Sequence, residues 1–122
     1  MEITLKTHND ISCAVITGDG VIISDAQSAL DLIMSVSYET GCRRMAVFKE
    51  ALAEDFFDLS TGLAGEVLQK CVNYRIKFAI IGDFSKYTSK PLKDFIYESN
   101  KGREIFFVST EQQAIERLTK PS

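Results

Sequence analysis

The run Ile76-Lys77-Phe78-Ala79-Ile80-Ile81 is almost wholly apolar and is closed by Gly82-Asp83. Its length suits a strand, and a strand without polar alternation has to be covered on both faces. Sheets covered on both faces are built from strands alternating with helices, so this run directs the reading of the whole chain.

The neighbouring segments fit that demand. Ser24-x-x-Gln27 has the form of a capping box, and Asp25 adds negative charge to the first turn. Ala26, Leu30, Ile33 and Ser37 recur at helical spacing, widened by Ala29 and Met34, and Gly41 stands where a helix ends. A first helix over 25–40 is predicted. Arg44 to Lys49 reads as a strand, and Glu50 to Leu59, with Phe56-Phe57, as a connecting segment. A second helix opens near Ser60 or Thr61, with Leu63, Val67, Cys71 and Tyr74 on one side. Ser89 with Pro91 starts a third helix that Gly102 ends, and Glu104 to Val108 reads as a strand. Ser109-x-x-Gln112 or Thr110-x-x-Gln113 caps a last helix.

At the front, Ile3 and Leu5 alternate with Thr4 and Lys6, His8-Asn9-Asp10 turns the chain, and Ile11, Cys13 and Val15 form the second arm of a hairpin. Val21 to Ile23 continues extended. The order β-β-α-β-α-β-α-β-α predicts one α/β domain over 1–122, a mixed, mostly parallel sheet of about five strands with about four helices.

Charge and cysteine usage narrow the function. The net charge is −3 and no basic run occurs, so no nucleic-acid partner is expected. No apolar stretch approaches the ~20 residues of a membrane span, and the opening MEITLKTHND is not a signal peptide, so a cytoplasmic protein is expected. Cys13, Cys42 and Cys71 form no CxxC pair, which argues against a disulfide framework or a zinc site and for buried small apolar side chains. His8 is the only histidine and lies in the hairpin turn, away from the other candidates. Neither a histidine-based triad nor a metal site is expected, and the absence of a glycine-rich phosphate loop leaves no cofactor implied.

Three places carry chemistry. Ser60-Thr61-Gly62, at a helix start, sets hydroxyls beside free backbone N–H groups and the positive end of the dipole, where phosphate is favoured; the same residues also make an ordinary N-cap. Gly82-Asp83, with Glu50 at the end of a neighbouring strand, brings carboxylates to the carboxyl ends of the strands, where open α/β sheets bind ligands. Such a pair can hold a cation or exchange a proton, and Gly-Asp is equally a routine turn. The loop from Phe84 to Lys90, with Ser85, Lys86 and Tyr87, has the groups to clamp an anionic ligand. Phe56-Phe57, beside Glu54, Asp55 and Asp58, reads as a loop anchored in the core.

From the second helix onward the chain resembles the STAS domain, named for sulfate transporters and anti-sigma factor antagonists. The residues that carry the likeness are Glu50 at a strand end, then Asp58-Leu59-Ser60-Thr61-Gly62-Leu63, then the closing helix Glu111 to Leu118. Leu59 stands as an extra residue in the motif, and the loop from Gly82 to Lys90 is longer than that family's. The resemblance implies a STAS-like fold with Ser60 or Thr61 as phosphoacceptor. Over the whole chain, the blocks ISDAQSALDL, DFFDLSTGLAGEVLQK, NYRIKFAIIGDFSKYTSK and FIYESNKG resemble the bacterial family called domain of unknown function 4180, which implies a fold and no activity.

Three functions follow, in order. The first is a regulatory protein-interaction module that docks a protein partner through Asp58–Leu63, gated at Ser60 or Thr61. The second is a carrier of a small anionic or amphipathic ligand held between Asp58–Gly62 and Gly82–Lys90. The third is an enzyme with Asp83 or Glu50 as acid or base; no catalytic residue is assigned, because no nucleophile–base pair is identifiable. A homo-oligomer is compatible with each.

Overall fold

The computed structural model describes residues 1–121. β1 (Glu2–His8) and β2 (Ile11–Thr17) pair antiparallel, joined by Asn9 and Asp10 at φ 55° and 62°. A two-residue turn with both centres left-handed matches the twist of a hairpin, and Asn and Asp tolerate that conformation. Then follow α1 (Ala26–Thr40), β3 (Arg44–Phe48), α2 (Leu63–Tyr74), β4 (Lys77–Ile81), α3 (Lys90–Lys101), β5 (Ile105–Val108) and α4 (Glu111–Leu118). The sheet order is β1-β2-β3-β4-β5, with β2 through β5 parallel. The α/β order and the mixed five-stranded sheet are those expected, and they are consistent with a STAS-like arrangement.

Each parallel step needs a crossover, and the three crossover helices all lie on one face. Ala14, Met45, Phe78, Ile80, Ile105 and Phe107 point to that side, against Leu32 and Ile33 of α1, Val67 of α2 and Leu92 of α3. The alternate residues Cys13, Ala46, Ala79 and Phe106 face the other way, where Ala114, Ile115 and Leu118 of α4 cover them. Ala46 and Ala79 are register partners, so small side chains lie side by side beneath the eight-residue helix. The apolar run at β4 is covered on both faces, with Phe78, Ala79 and Ile80 at 0% exposure. The three cysteines are buried and unpaired.

β5 is an edge strand, and part of its edge is occupied. Asn100, at the end of α3, accepts from the Phe107 N–H at 2.7 Å and donates to the Phe107 carbonyl at 3.2 Å, as a neighbouring strand would. The Ser109 N–H is taken by Gln113 Oε1 at 2.8 Å. Backbone groups left open on an edge template pairing with another chain, and these are closed.

Several local readings change. Asp25, not Ser24, caps α1: its side chain accepts from the Ser28 N–H, while Ser28 Oγ accepts from the Asp25 N–H. The buried stripe of α1 is Ala29, Leu32, Ile33 and Val36, with Met34 37% exposed, because the sheet lies a fraction of a turn away from the side that the Leu30–Met34 spacing favours. Val21 to Ile23 is not a strand; Ile23 makes a single parallel bridge to Leu52. Tyr74 is 38% exposed, at the last position of its helix.

Asn100→Ala should destabilise the chain by about 1–3 kcal/mol, since it strips both partners from the Phe107 backbone. It should also cause concentration-dependent association through the opened edge. Urea denaturation and sedimentation velocity check the two effects.

Candidate functional site

The carboxyl ends of the parallel strands are roofed by residues 49–61, which cross from β3 to α2 through three short 3-10 turns, Lys49–Ala51, Glu54–Phe57 and Leu59–Thr61. The roof is pinned by aromatics. Phe56 is fully buried and meets Phe57 edge-on at 5.1 Å between centroids. Phe57 stacks on Tyr87 at 4.6 Å and 13°, and Phe84 packs edge-on against Phe107 at 5.4 Å. Apolar area buried in this way ties the roof to the loop after β4. The segments on either side of Asp58–Gly62 and Gly82–Lys90 are therefore bridged by the protein's own rings.

The polar fringe of that stack is organised around Glu54. The Tyr87 hydroxyl lies 3.1 Å and 3.2 Å from its two carboxylate oxygens, and Lys86 Nζ donates to Oε1 at 3.4 Å. Lys49 runs over Gly82: a Cβ there would meet Lys49 Cδ at 2.6 Å, so the glycine makes room for the lysine stem. Val21, Lys49, Glu54, Lys86 and Tyr87 border an open groove of about 290 Å³. Lys49 and Glu54 are the members that the sequence reading missed. Their only signal was the glycine at a strand exit, because Glu54 and Tyr87 meet across 33 residues of chain.

Asp58, Ser60, Thr61 and Gly62 come together as one exposed turn, and its geometry corrects the expected helix start. Asp58 Oδ1 accepts from the Ser60 N–H at 3.1 Å and the Ser60 hydroxyl at 2.6 Å. The Thr61 hydroxyl is within 2.6 Å of the Asp55 carbonyl and 2.9 Å of the Asp58 carbonyl. Gly62 is left-handed at φ 81°, a conformation open to glycine without strain, and α2 begins only at Leu63. Asp58 starts a separate 3-10 turn, and that turn uses the residues that would otherwise have been the helix's first.

Gly82, Asp83, Ser85 and Lys86 form a second turn. Asp83 Oδ1 accepts from the Ser85 N–H at 2.9 Å. Hydrogen bonds from Ser60 hold the Asp58 carboxyl below the usual range, and hydrogen bonds from Ser85 do the same for Asp83. Both carboxylates are fixed in the ionised form as turn anchors, the opposite of what a general acid requires. Glu50 is exposed, with Lys49 Nζ at 4.0 Å. Among the described residues, no group of three or more His, Cys, Asp or Glu side chains is placed to hold a metal ion. His8 lies at the far end of the sheet, its Nδ1 3.0 Å from the Thr119 hydroxyl.

Two measurements test this geometry. Gly82→Ala should destabilise the chain, and less so in a Lys49→Ala background; the double-mutant cycle should give a coupling of about 0.5–3 kcal/mol by urea denaturation. Asp58 and Asp83 titrate lower in the folded chain than in the unfolded one, so they favour folding at neutral pH, and that contribution fades as pH falls below about 4. In carboxyl carbon NMR titrations, Ser60→Ala should raise the Asp58 midpoint toward the ordinary value and leave Asp83 in place.

A comparison with curated proteins finds no match. The family model described as Domain of unknown function (DUF4180) matches residues 8–118, which span both turns, the aromatic roof and all four helices. The chain belongs to that family.

Proposed function

We propose that the chain is a non-catalytic protein-interaction module that docks a partner through the turn Asp58–Leu63, with Ser60 as a phosphorylatable hydroxyl. The observation that carries this reading is the difference between the two hydroxyls. Ser60 is exposed and bonded only to a side chain, Asp58, whereas Thr61 is tied to two backbone carbonyls. A phosphate on Ser60 would bring about −1.5 to −2 charges against a carboxylate now 2.6 Å from that oxygen. The Asp58 cap would be expelled and the 3-10 turn would open, which reshapes a contact surface without any catalytic step.

The ligand reading is weaker, because the stacked Phe57 and Tyr87 occupy the space a ligand would need. The enzymatic reading is weaker still, because Asp83 is committed as a turn anchor and Glu50 is exposed beside Lys49.

Protein isolated from its native cells should carry phosphate on Ser60 and none on Thr61 by peptide mass mapping. Tagged Ser60→Glu should keep its far-ultraviolet circular dichroism yet capture a different set of proteins from Ser60→Ala. Identical capture by both variants, with Ser60 unmodified, would falsify the proposal.

A further inference from the structure

The fold sorts the chain's charges toward its two ends. Basic residues stand at the entrance to each of the last three strands: Arg43 and Arg44 at β3, Arg75 and Lys77 at β4, Lys101 and Arg103 at β5. Arg117 and Lys120 stand at the end of α4. The strands are parallel neighbours, so these eight of the chain's 14 lysines and arginines meet at the amino-terminal end of the sheet. They border two troughs of about 410 and 430 Å³ that share Lys77 and Arg103 and so adjoin. Glu104 is the one acid lining them; the other 6 cations and 16 acids lie outside the troughs, with Asp10, Glu39, Glu98 and Glu116 toward this same end.

Several of these cations are held in place by neutral groups. Arg43 Nη1 donates to the Tyr74 carbonyl at 2.7 Å, and Arg44 Nη1 to the carbonyls of Leu118 at 2.7 Å and Lys120 at 3.1 Å. Arg117 donates to the Asn100 carbonyl, with its guanidinium 4.4 Å from the centre of the Phe106 ring. Among the described residues, the three ion pairs involve none of the eight. Burial, then the charges of Arg44 and Arg103, pull the Lys77 ammonium below its usual pKa. The four helices end toward this pole, and about half a negative charge at each offsets only about two of the eight positive charges. The surplus suits a polyanion.

We propose that the paired troughs bind a single strand of nucleic acid, with successive phosphates on the two sides of Lys77 and Arg103. Two adjoining concavities that share cations match a ligand whose charge repeats along a chain. Lys77 and Arg44 are half-buried, within reach of an entering strand but not of a flat bilayer. Tyr97 is 53% exposed, with Lys101 Nζ 4.1 Å over one face of its ring, so an aromatic ring on which an unstacked base can stack borders the cations. The net charge that weighs against such a partner is an average over two ends of opposite sign.

The test is fluorescence anisotropy of a short labelled oligouridylate with the full chain at several salt concentrations. Arg75→Ala/Arg103→Ala, both at exposed positions, should weaken binding about tenfold and reduce the log–log salt slope by about 1.4. Lys90→Ala/Lys93→Ala, with the same change in net charge at the opposite end, should bind as the parent does. Tyr97→Ala should weaken oligouridylate and leave inorganic polyphosphate unaffected. Any of three results overturns the proposal: no binding at low salt; equal losses in the two double variants; or polyphosphate and oligouridylate bound alike and both indifferent to Tyr97→Ala. Binding to phosphatidylserine vesicles without binding to oligouridylate also overturns it, and makes the pole a membrane contact.

Discussion

Coverage of β4 on both faces is the constraint from which the rest of the molecule follows. Parallel neighbours on either side can be reached only by crossovers, and each crossover here is a helix on the same face. Three of the four helices are used in that way. The opposite face of the sheet is left to α4 alone, a helix of eight residues. It can serve because the strand positions beneath it include Ala46 and Ala79, and because the sheet's far side is tied to it by His8 and Thr119. Enlarging either alanine would lift the helix that covers that face among the described residues.

Periodicity made the element order legible, since strand and helix patterns alternate and helix ends carry capping residues or glycine. The register of α1 was not legible: Leu30 and Met34 are as apolar as Leu32 and Val36, and only the position of the sheet decides which pair turns inward. Residues 49–61 have no period to read, and their path is set by where Phe56 and Phe57 find partners. Within the candidate site, Asp58-x-Ser60 and Asp83-x-Ser85 are local turns and could be seen in sequence. The junction of Lys49, Glu54 and Tyr87 is tertiary and could not. The cations at the other end were visible singly, but their meeting depends on the strands being parallel and adjacent.

The two ends of the sheet treat charge in contrasting ways. At the carboxyl end, carboxylates close turns: Asp25, Asp58 and Asp83 each accept backbone N–H groups and are spent on local structure. At the amino end, arginines are steadied by carbonyls. One end is committed to holding its own loops, while at the other none of the eight clustered cations takes part in an ion pair among the described residues. The resulting separation of charge also gives the molecule a dipole along the strands, which orients it in the field of any charged neighbour.

The Asn100 clasp on β5 has a consequence for assembly. A sheet can lengthen by adding strands only where an edge accepts them, and here the amide of one side chain has taken the place of the next strand. Growth from that side is hindered within the monomer at Phe107 and Ser109. β1 keeps the remaining edge, seven residues long and largely exposed. Sheet-to-sheet joining of two copies is favoured through β1 from both, and the product would be a closed pair, not a fibre.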